Sequence, residues 1–409
     1  MISNLTKEKK QIIYLYASTL IGVLLGVLSS IINTRFLAPT DYGDVRYVQN
    51  IINFVASLLL FGYFVSGSRL LALSKDEAYS KTIRGAMVII LLICSCVLVL
   101  TCLVCYGIHI NKPVIASLFL VSIPVCSQPL LINYINTTAQ GDNHIGLLSL
   151  ARLMPALIYI PVAFLIYKEI GATSTVMILL QWGIAVVIYS IIIVSSKLSF
   201  QNLKPAFQDL SKENKDYGFQ LYIGSLVMVA TNYIAGVTIG IFNSDNSEVA
   251  FYTLALTVTA PLAMLPSIVG TTYFKAFASQ PRIPSKIMKF SILLTAVSCI
   301  LFIAIIKPLV VFLYTEDYSR VGVYAIILAI GSSIHGLGDM INRYLGSHGQ
   351  GLAIRNSSIA NGCFKVIGYT LFVYWWGTIG ALVTTIVCDI IYASVLYIYY
   401  YRFINKEIL

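Results

Sequence analysis

Apolar runs of about twenty residues recur along the 409-residue chain, and several of them carry no charged side chain at all. At 1.5 Å per residue, such a run crosses a hydrocarbon core of about 30 Å as an α-helix. Backbone groups left unpaired in lipid cost several kcal/mol each, so the runs must be helical; none alternates as barrel strands do. With 58% hydrophobic and 11% charged residues, the composition excludes an ordinary soluble domain. The expected fold class is an all-α membrane protein with twelve transmembrane helices. The expected spans are Ile12 to Ile32, Tyr47 to Ser66, Gly85 to Tyr106, Val114 to Asn136, Leu147 to Tyr167, Ser174 to Val194, Phe219 to Phe242, Val249 to Tyr273, Phe290 to Tyr314, Val321 to Arg343, Ile354 to Tyr374 and Gly377 to Tyr401. The first run lacks a small-x-small cleavage site and is expected to stay as a span.

One polar stretch, Ser195 to Tyr217, divides the chain into two sets of six runs. Run starts pair across it: Ile12 with Phe219, Gly85 with Phe290, Leu147 with Ile354 and Ser174 with Gly377, at spacings of roughly 203 to 207 residues, as a duplication produces. The expected domains are a six-helix bundle over 1–194, a linker over 195–218 and a second six-helix bundle over 219–409. Six spans per unit make this a parallel repeat, the plan in which two bundles face a central cleft.

Lysine and arginine set the orientation. Lys7, Lys9, Lys10, Arg69, Lys75, Lys81, Arg84, the four linker lysines, Lys275, Arg282, Lys286, Lys289, Arg343, Arg355, Arg402 and Lys406 fall on one side. Arg35, Arg46, Lys112, Lys168 and Arg320 fall on the other. The crowded side is expected to be cytoplasmic, which gives N-in and C-in termini. The net charge of +10 is then topology signal and contact with anionic lipid, not a nucleic-acid footprint. Around Leu203, Phe207 and Leu210 the linker is amphipathic enough to lie on the membrane surface.

Helical spacing groups the polar residues of the spans. Arg46, Asn50, Asn53 and Ser57 form one stripe; Gly22, Gly26, Ser29 and Asn33 another; Ser332, His335, Asp339 and Arg343 a third; Arg355, Ser358, Gly362 and Lys365 a fourth. These faces either line a cavity or bond between helices. Charges inside a span cost about 2.5 to 3.5 kcal/mol and must be offset. Lys365 and Asp389 both fall near mid-depth on consecutive spans, so an ion pair between them and a lumen-facing role both remain open. Asp339 and Arg343 have the spacing of an i, i+4 salt bridge. Arg152 and Lys307 are placed where they could snorkel. His335 is the histidine set deep in a span, able to titrate or simply to hydrogen-bond.

No catalytic site, cofactor or metal is expected. The chain lacks GxxxxGK[ST], HExxH and GxSxG, and the glycine-rich GSHGQG of Gly346 to Gly351 has no strand and helix to make it a nucleotide cradle. Cys102 and Cys105 spell CxxC, but they sit with Cys94 and Cys96 in one apolar run, where free cysteine acts as a small hydrophobe.

At the first outer loop, Arg35-Phe-Leu-Ala-Pro-Thr-Asp-Tyr-Gly43 resembles the RxLGPxxYG signature of the Wzx-type polysaccharide flippases, with Ala38 in place of the usual glycine. Those proteins share a superfamily with the MATE multidrug exporters and the lipid II flippases. Phe242 to Tyr252, FNSDNSEVAFY, occupies the equivalent loop of the second half, and Ile170-Gly171-Ala172 and Ile379-Gly380-Ala381 resemble the family's entry to each last span. The resemblance implies a MATE-like fold in a bacterial inner membrane. It also implies a cargo: an undecaprenyl-diphosphate-linked O-antigen or capsule repeat unit, carried to the outer leaflet, with a polysaccharide polymerase and chain-length regulator as partners. A diphosphate needs cations, for which Arg35, Arg46, Arg152, Arg343 and Lys365 are the candidates, with Asn50 and Asn53 as glycan contacts. His335, Asp339 and Asp389 are the groups able to couple an ion. A MATE-like drug antiporter, which would favour acidic over basic lumen groups, is the nearest alternative. A glycan polymerase or ligase is the more distant one, since it would want a large outer loop.

Overall fold

A computed structural model describes residues 7–406, with side chains from 17 onward except at 145, 224–225, 227–230 and 406. The side chains of Lys7, Lys9, Lys10 and Lys406, four of the residues that set the expected orientation, lie outside the described residues. The chain is helical throughout, with no strand among the described residues.

The helices of the first half are α1 (Lys7–Phe36), α2 (Pro39–Leu58), α3 (Tyr63–Leu73), α4 (Glu77–Ile108), α5 (Pro113–Ser122), α6 (Gln128–Gly141), α7 (Ile145–Glu169) and α8 (Ser174–Ser195), and α9 (Leu203–Glu213) lies in the linker. The second half has α10 (Phe219–Phe242), α11 (Ser247–Thr272), the short α12 (Phe274–Phe277), α13 (Ser285–Tyr314), α14 (Ser319–Ser347), α15 (Gly351–Ile367), the short α16 (Val373–Trp376) and α17 (Thr378–Lys406). Helix starts repeat from half to half. Pro39 answers Ser247, Glu77 answers Ser285, Pro113 answers Ser319, Ile145 answers Gly351 and Ser174 answers Thr378, at spacings of 204 to 208 residues by subtraction. The duplication read from run starts is therefore a duplication of helices.

Among the described residues, nine helical segments are long and apolar enough to cross a membrane, or ten if α2 and α3 form one span bent by 58°. The difference from twelve has local causes. Span 2 breaks between α2 and α3, where Phe61 and Gly62 turn left-handed at φ 43° and 81°. Span 11 is interrupted by a π turn over Gly368–Phe372 that separates α15 from α16. Span 7 coincides with α10, but several of its side chains lie outside the described residues, leaving Thr231–Phe242 to be counted.

Two compact units emerge, one of residues 1–37 and 48–226, the other of residues 38–47 and 227–409. In the first, α1 packs along α7. Asn33 Oδ1, fully buried, accepts from Tyr159 at 2.5 Å and Tyr167 at 3.0 Å, so the Asn33 end of the small-residue stripe of span 1 packs on α7. The linker helix α9 belongs to this unit and straps α3 and α4: Glu213 pairs with Arg69 at 2.5 Å, Asp209 accepts from Tyr79 at 2.8 Å, and Asn214 accepts from Ser66 at 3.2 Å.

The strap sits tightly over the α2–α3 break. A Cβ at Gly62 would overlap the Gly218 carbonyl and lie 2.6 Å from Asn214 Oδ1. Gly62→Ala therefore adds left-handed strain to a steric clash, and should destabilise the protein by about 2 kcal/mol. Thermal unfolding of the purified protein measures this, and an unchanged melting temperature would show that the elbow is not clamped.

In the second unit, α11, α14 and α17 form the central layer, with α13 on one side of α14 and α15 on α17. The segment 38–47 joins it. Tyr42, fully buried, meets Tyr318 edge to face at 6.4 Å, Phe251 meets Tyr318 in the same way at 6.2 Å, and Asn246 Nδ2 donates to Asp44 Oδ1 at 2.7 Å.

Candidate functional site

The polar content of the second unit converges between α14, α15 and α17. Asp389, 7% exposed on α17, accepts from or donates to His335 Nδ1 on α14 at 3.0 Å, according to the proton's position. Asp339, one turn along α14, lies 3.9 Å from the other ring nitrogen of His335 and accepts from the Tyr392 hydroxyl at 2.8 Å. Tyr392 receives a hydrogen bond from the Asn342 amide at 2.8 Å and lies flat on the His335 ring, with centroids 4.6 Å apart. The helices can approach this closely because glycines line the seam: a Cβ at Gly331 would come within 2.8 Å of Asp389 Oδ2, and one at Gly338 within 3.1 Å of Ala393 Cα.

Lys365, half-buried on α15, acts electrostatically on both His335 and Cys388. It forms no ion pair with Asp389. Of the two readings left open for Lys365, the ion pair is not formed: the Asp389 carboxylate is taken by His335 across the glycine-lined α14–α17 seam. The expected Asp339–Arg343 salt bridge is absent in the same way: Asp339 turns to Tyr392, while Arg343 is exposed and acts on Tyr392 only through its charge. Just beyond Lys365, the π turn places the fully buried Tyr369 beside Thr385 at 3.0 Å and Tyr252 at 3.3 Å. Such turns frequently mark functional sites in helices.

The other candidates are scattered. Arg35 and Arg152 are exposed, and Asn50 and Asn53 are half-buried on α2. Arg46 folds back on its own helix, donating to the Tyr42 hydroxyl at 2.8 Å with its guanidinium 4.9 Å from that ring. Of the ten candidate side chains, His335, Asp339 and Asp389 are brought together, with Lys365 in electrostatic range. Sequence reading missed Tyr392, Asn342 and the Gln49–Gln181 pair, which bond at 3.1 Å inside the first unit. Tyr392 follows Asp389 by three residues on one helix face, a spacing that signals it.

The fold is similar to that of solved membrane transporters. Its architecture resembles the lipid II flippase MurJ in an inward closed conformation (TM-score 0.73, 15% identity, 94% of this chain and 86% of that one covered). It also resembles an inward-facing MATE family multidrug transporter of the MOP superfamily (0.65, 14%, 97% and 98%). A third likeness is a MOP superfamily transporter from Pyrococcus furiosus, described as having a binding pocket of reverse polarity (0.60, 15%, 97% and 96%). The family model for polysaccharide biosynthesis proteins matches residues 9–280, and the chain belongs to that family. No curated protein matches it in sequence.

Proposed function

We propose that the protein is a flippase that moves undecaprenyl-diphosphate-linked O-antigen or capsule repeat units from the cytoplasmic to the periplasmic leaflet of a bacterial inner membrane by alternating access. Membership of the polysaccharide biosynthesis family on a flippase-like fold carries the reading. Twelve spans with both termini inside fit it, arranged as bundles over 1–194 and 219–409 joined by a cytoplasmic linker over 195–218. Arg35, Arg46, Arg152, Arg343 and Lys365 supply positive charge for the diphosphate, Asn50 and Asn53 supply hydrogen bonds for the glycan, and the polyprenyl tail stays in lipid. His335, Asp339 and Asp389 couple the cycle to an ion gradient, and a polymerase and chain-length regulator consume the product.

Deleting the protein tests this. Single lipid-linked repeat units should accumulate on the inner leaflet, with surface glycan lost. Heightened drug sensitivity with normal glycan would instead identify a MATE-like antiporter, and single units already displayed outside would identify a polymerase or ligase.

A further inference from the structure

One aromatic ring holds the polar core of the second unit in place. Tyr392 covers His335 with planes only 17° from parallel, while its hydroxyl bridges Asn342 and Asp339. Because the Asn342 Nδ2 atom can only donate, the hydroxyl hydrogen is committed to Asp339, which is thereby presented as an acceptor. His335 is left between two carboxylates, Asp389 Oδ1 at 3.0 Å from one ring nitrogen and Asp339 Oδ1 at 3.9 Å from the other.

The titratable and charged groups facing this imidazole are Asp389 and Tyr392 from α17, Asp339 from α14 and Lys365 from α15. From α13, Cys299 lies 3.8 Å from the Ala329 carbonyl of α14, whereas Lys307 packs at Gly322. With a neutral imidazole, His335, Asp339, Asp389 and Lys365 together carry a formal charge of −1; one proton on His335 brings the set to zero. A net charge among apolar spanning helices costs about 2.5 to 3.5 kcal/mol on insertion scales, so a bound cation belongs here.

The acceptor atoms decide which cation. Asp389 Oδ1 is engaged by His335, Asp389 Oδ2 is pressed against Gly331, and Asp339 Oδ1 is engaged by Tyr392. An alkali-metal ion requires several converging oxygens, whereas three of the four carboxylate oxygens here already face a neighbour. A proton needs only the ring nitrogen.

We propose that His335, clamped between Asp389 and Asp339 by Tyr392, is a proton-binding site of the transport cycle, taking hydrogen ion in preference to sodium or potassium. The proposal rests on the transport reading above and names the coupling ion of that site. The proton adds to the imidazole lone pair to give an imidazolium, and departs to water without any covalent bond to cargo. Tyr392 is a positioning residue: it fixes the ring plane and the orientation of Asp339.

The test is nitrogen NMR of the full-length purified protein, labelled on its histidine rings, across roughly pH 5 to 9. The chain has four histidines, and His335→Gln identifies the relevant signal. That signal should titrate, ignore added sodium or potassium chloride at fixed pH, and have its midpoint displaced by about one pH unit in Asp389→Asn. Tyr392→Phe, which keeps the stacked ring, and Gly331→Ala, which adds no titratable group, should displace it too, while His109, His144 and His348 stay put. A His335 signal that responds to alkali cations at fixed pH, or that is unmoved in all three variants, overturns the proposal. No cargo is required, so failure of the flippase reading with a normal titration, or the reverse, is told apart.

Discussion

Gly43→Ala should yield a protein that inserts in the membrane but is destabilised by about 3 kcal/mol, a large loss for a single added methyl group. Alanine is the better helix former by about 1 kcal/mol, so any loss must come from packing. A Cβ at position 43 would overlap the Asn246 carbonyl oxygen and lie 2.5 Å from its carbon. Asn246 cannot retreat easily. Its carbonyl caps the Ala250 amide at 3.2 Å, its side chain bonds Asp44 at 2.7 Å, and it is 4% exposed. Nor can the start of α2 back away, because Tyr42 is wedged against Tyr318, which also meets Tyr314 and Phe251. Gly26→Ala is the matched control, since a Cβ added there would meet nothing within 4 Å. It should be neutral or stabilising by up to about 1 kcal/mol. Thermal unfolding of both variants in detergent decides the matter: equal melting temperatures would mean that the 43–246 contact has no structural weight.

That contact explains the ending of the Arg35 to Gly43 signature, and it illustrates what the sequence carries. Apolar runs give the position of each residue along its helix, so the duplication and most spans could be read, and Lys365, His335 and Asp389 could be set within theirs. Depth does not give azimuth, the direction in which a side chain leaves the helix relative to its neighbours. Lys365 and Asp389 match in depth, yet the glycine seam at Gly331 and Gly338 brings α14 nearer to α17, and His335 takes the carboxylate. The span breaks were hidden for a related reason. Neither Phe61-Gly62 nor the π turn after Lys365 contains proline, and hydropathy is blind to a turn made from apolar residues. Tyr392 was hidden by abundance: in a chain with 27 tyrosines, one more aromatic residue in an apolar run reads as core.

Lys365→Ala should abolish surface glycan display at an unchanged protein level, while Lys365→Arg should keep most of it. What the lysine lacks is a carboxylate partner. An ammonium inside a spanning helix costs about 3 kcal/mol on insertion scales, a cost usually offset by an acidic partner. The available carboxylates are committed, Asp389 to His335 and Asp339 to Tyr392, and Lys365 forms no ion pair with either. Removing it therefore breaks no direct ion pair, and the protein should still fold and insert, unlike the case of a buried pair that loses one member. If Lys365 instead holds an anionic cargo, alanine forfeits a charge-assisted hydrogen bond of about 1.5 to 3 kcal/mol, roughly a 10- to 150-fold loss of affinity, whereas arginine retains the charge. Export of labelled lipid-linked repeat units into the outer leaflet of proteoliposomes, normalised to protein, separates the two. Full export by the alanine variant would remove Lys365 from cargo binding, and lost export with lost protein would make it structural. Lost export from a protein that still folds, with export kept by arginine, would assign the cation at position 365 to a negative charge that arrives with the cargo.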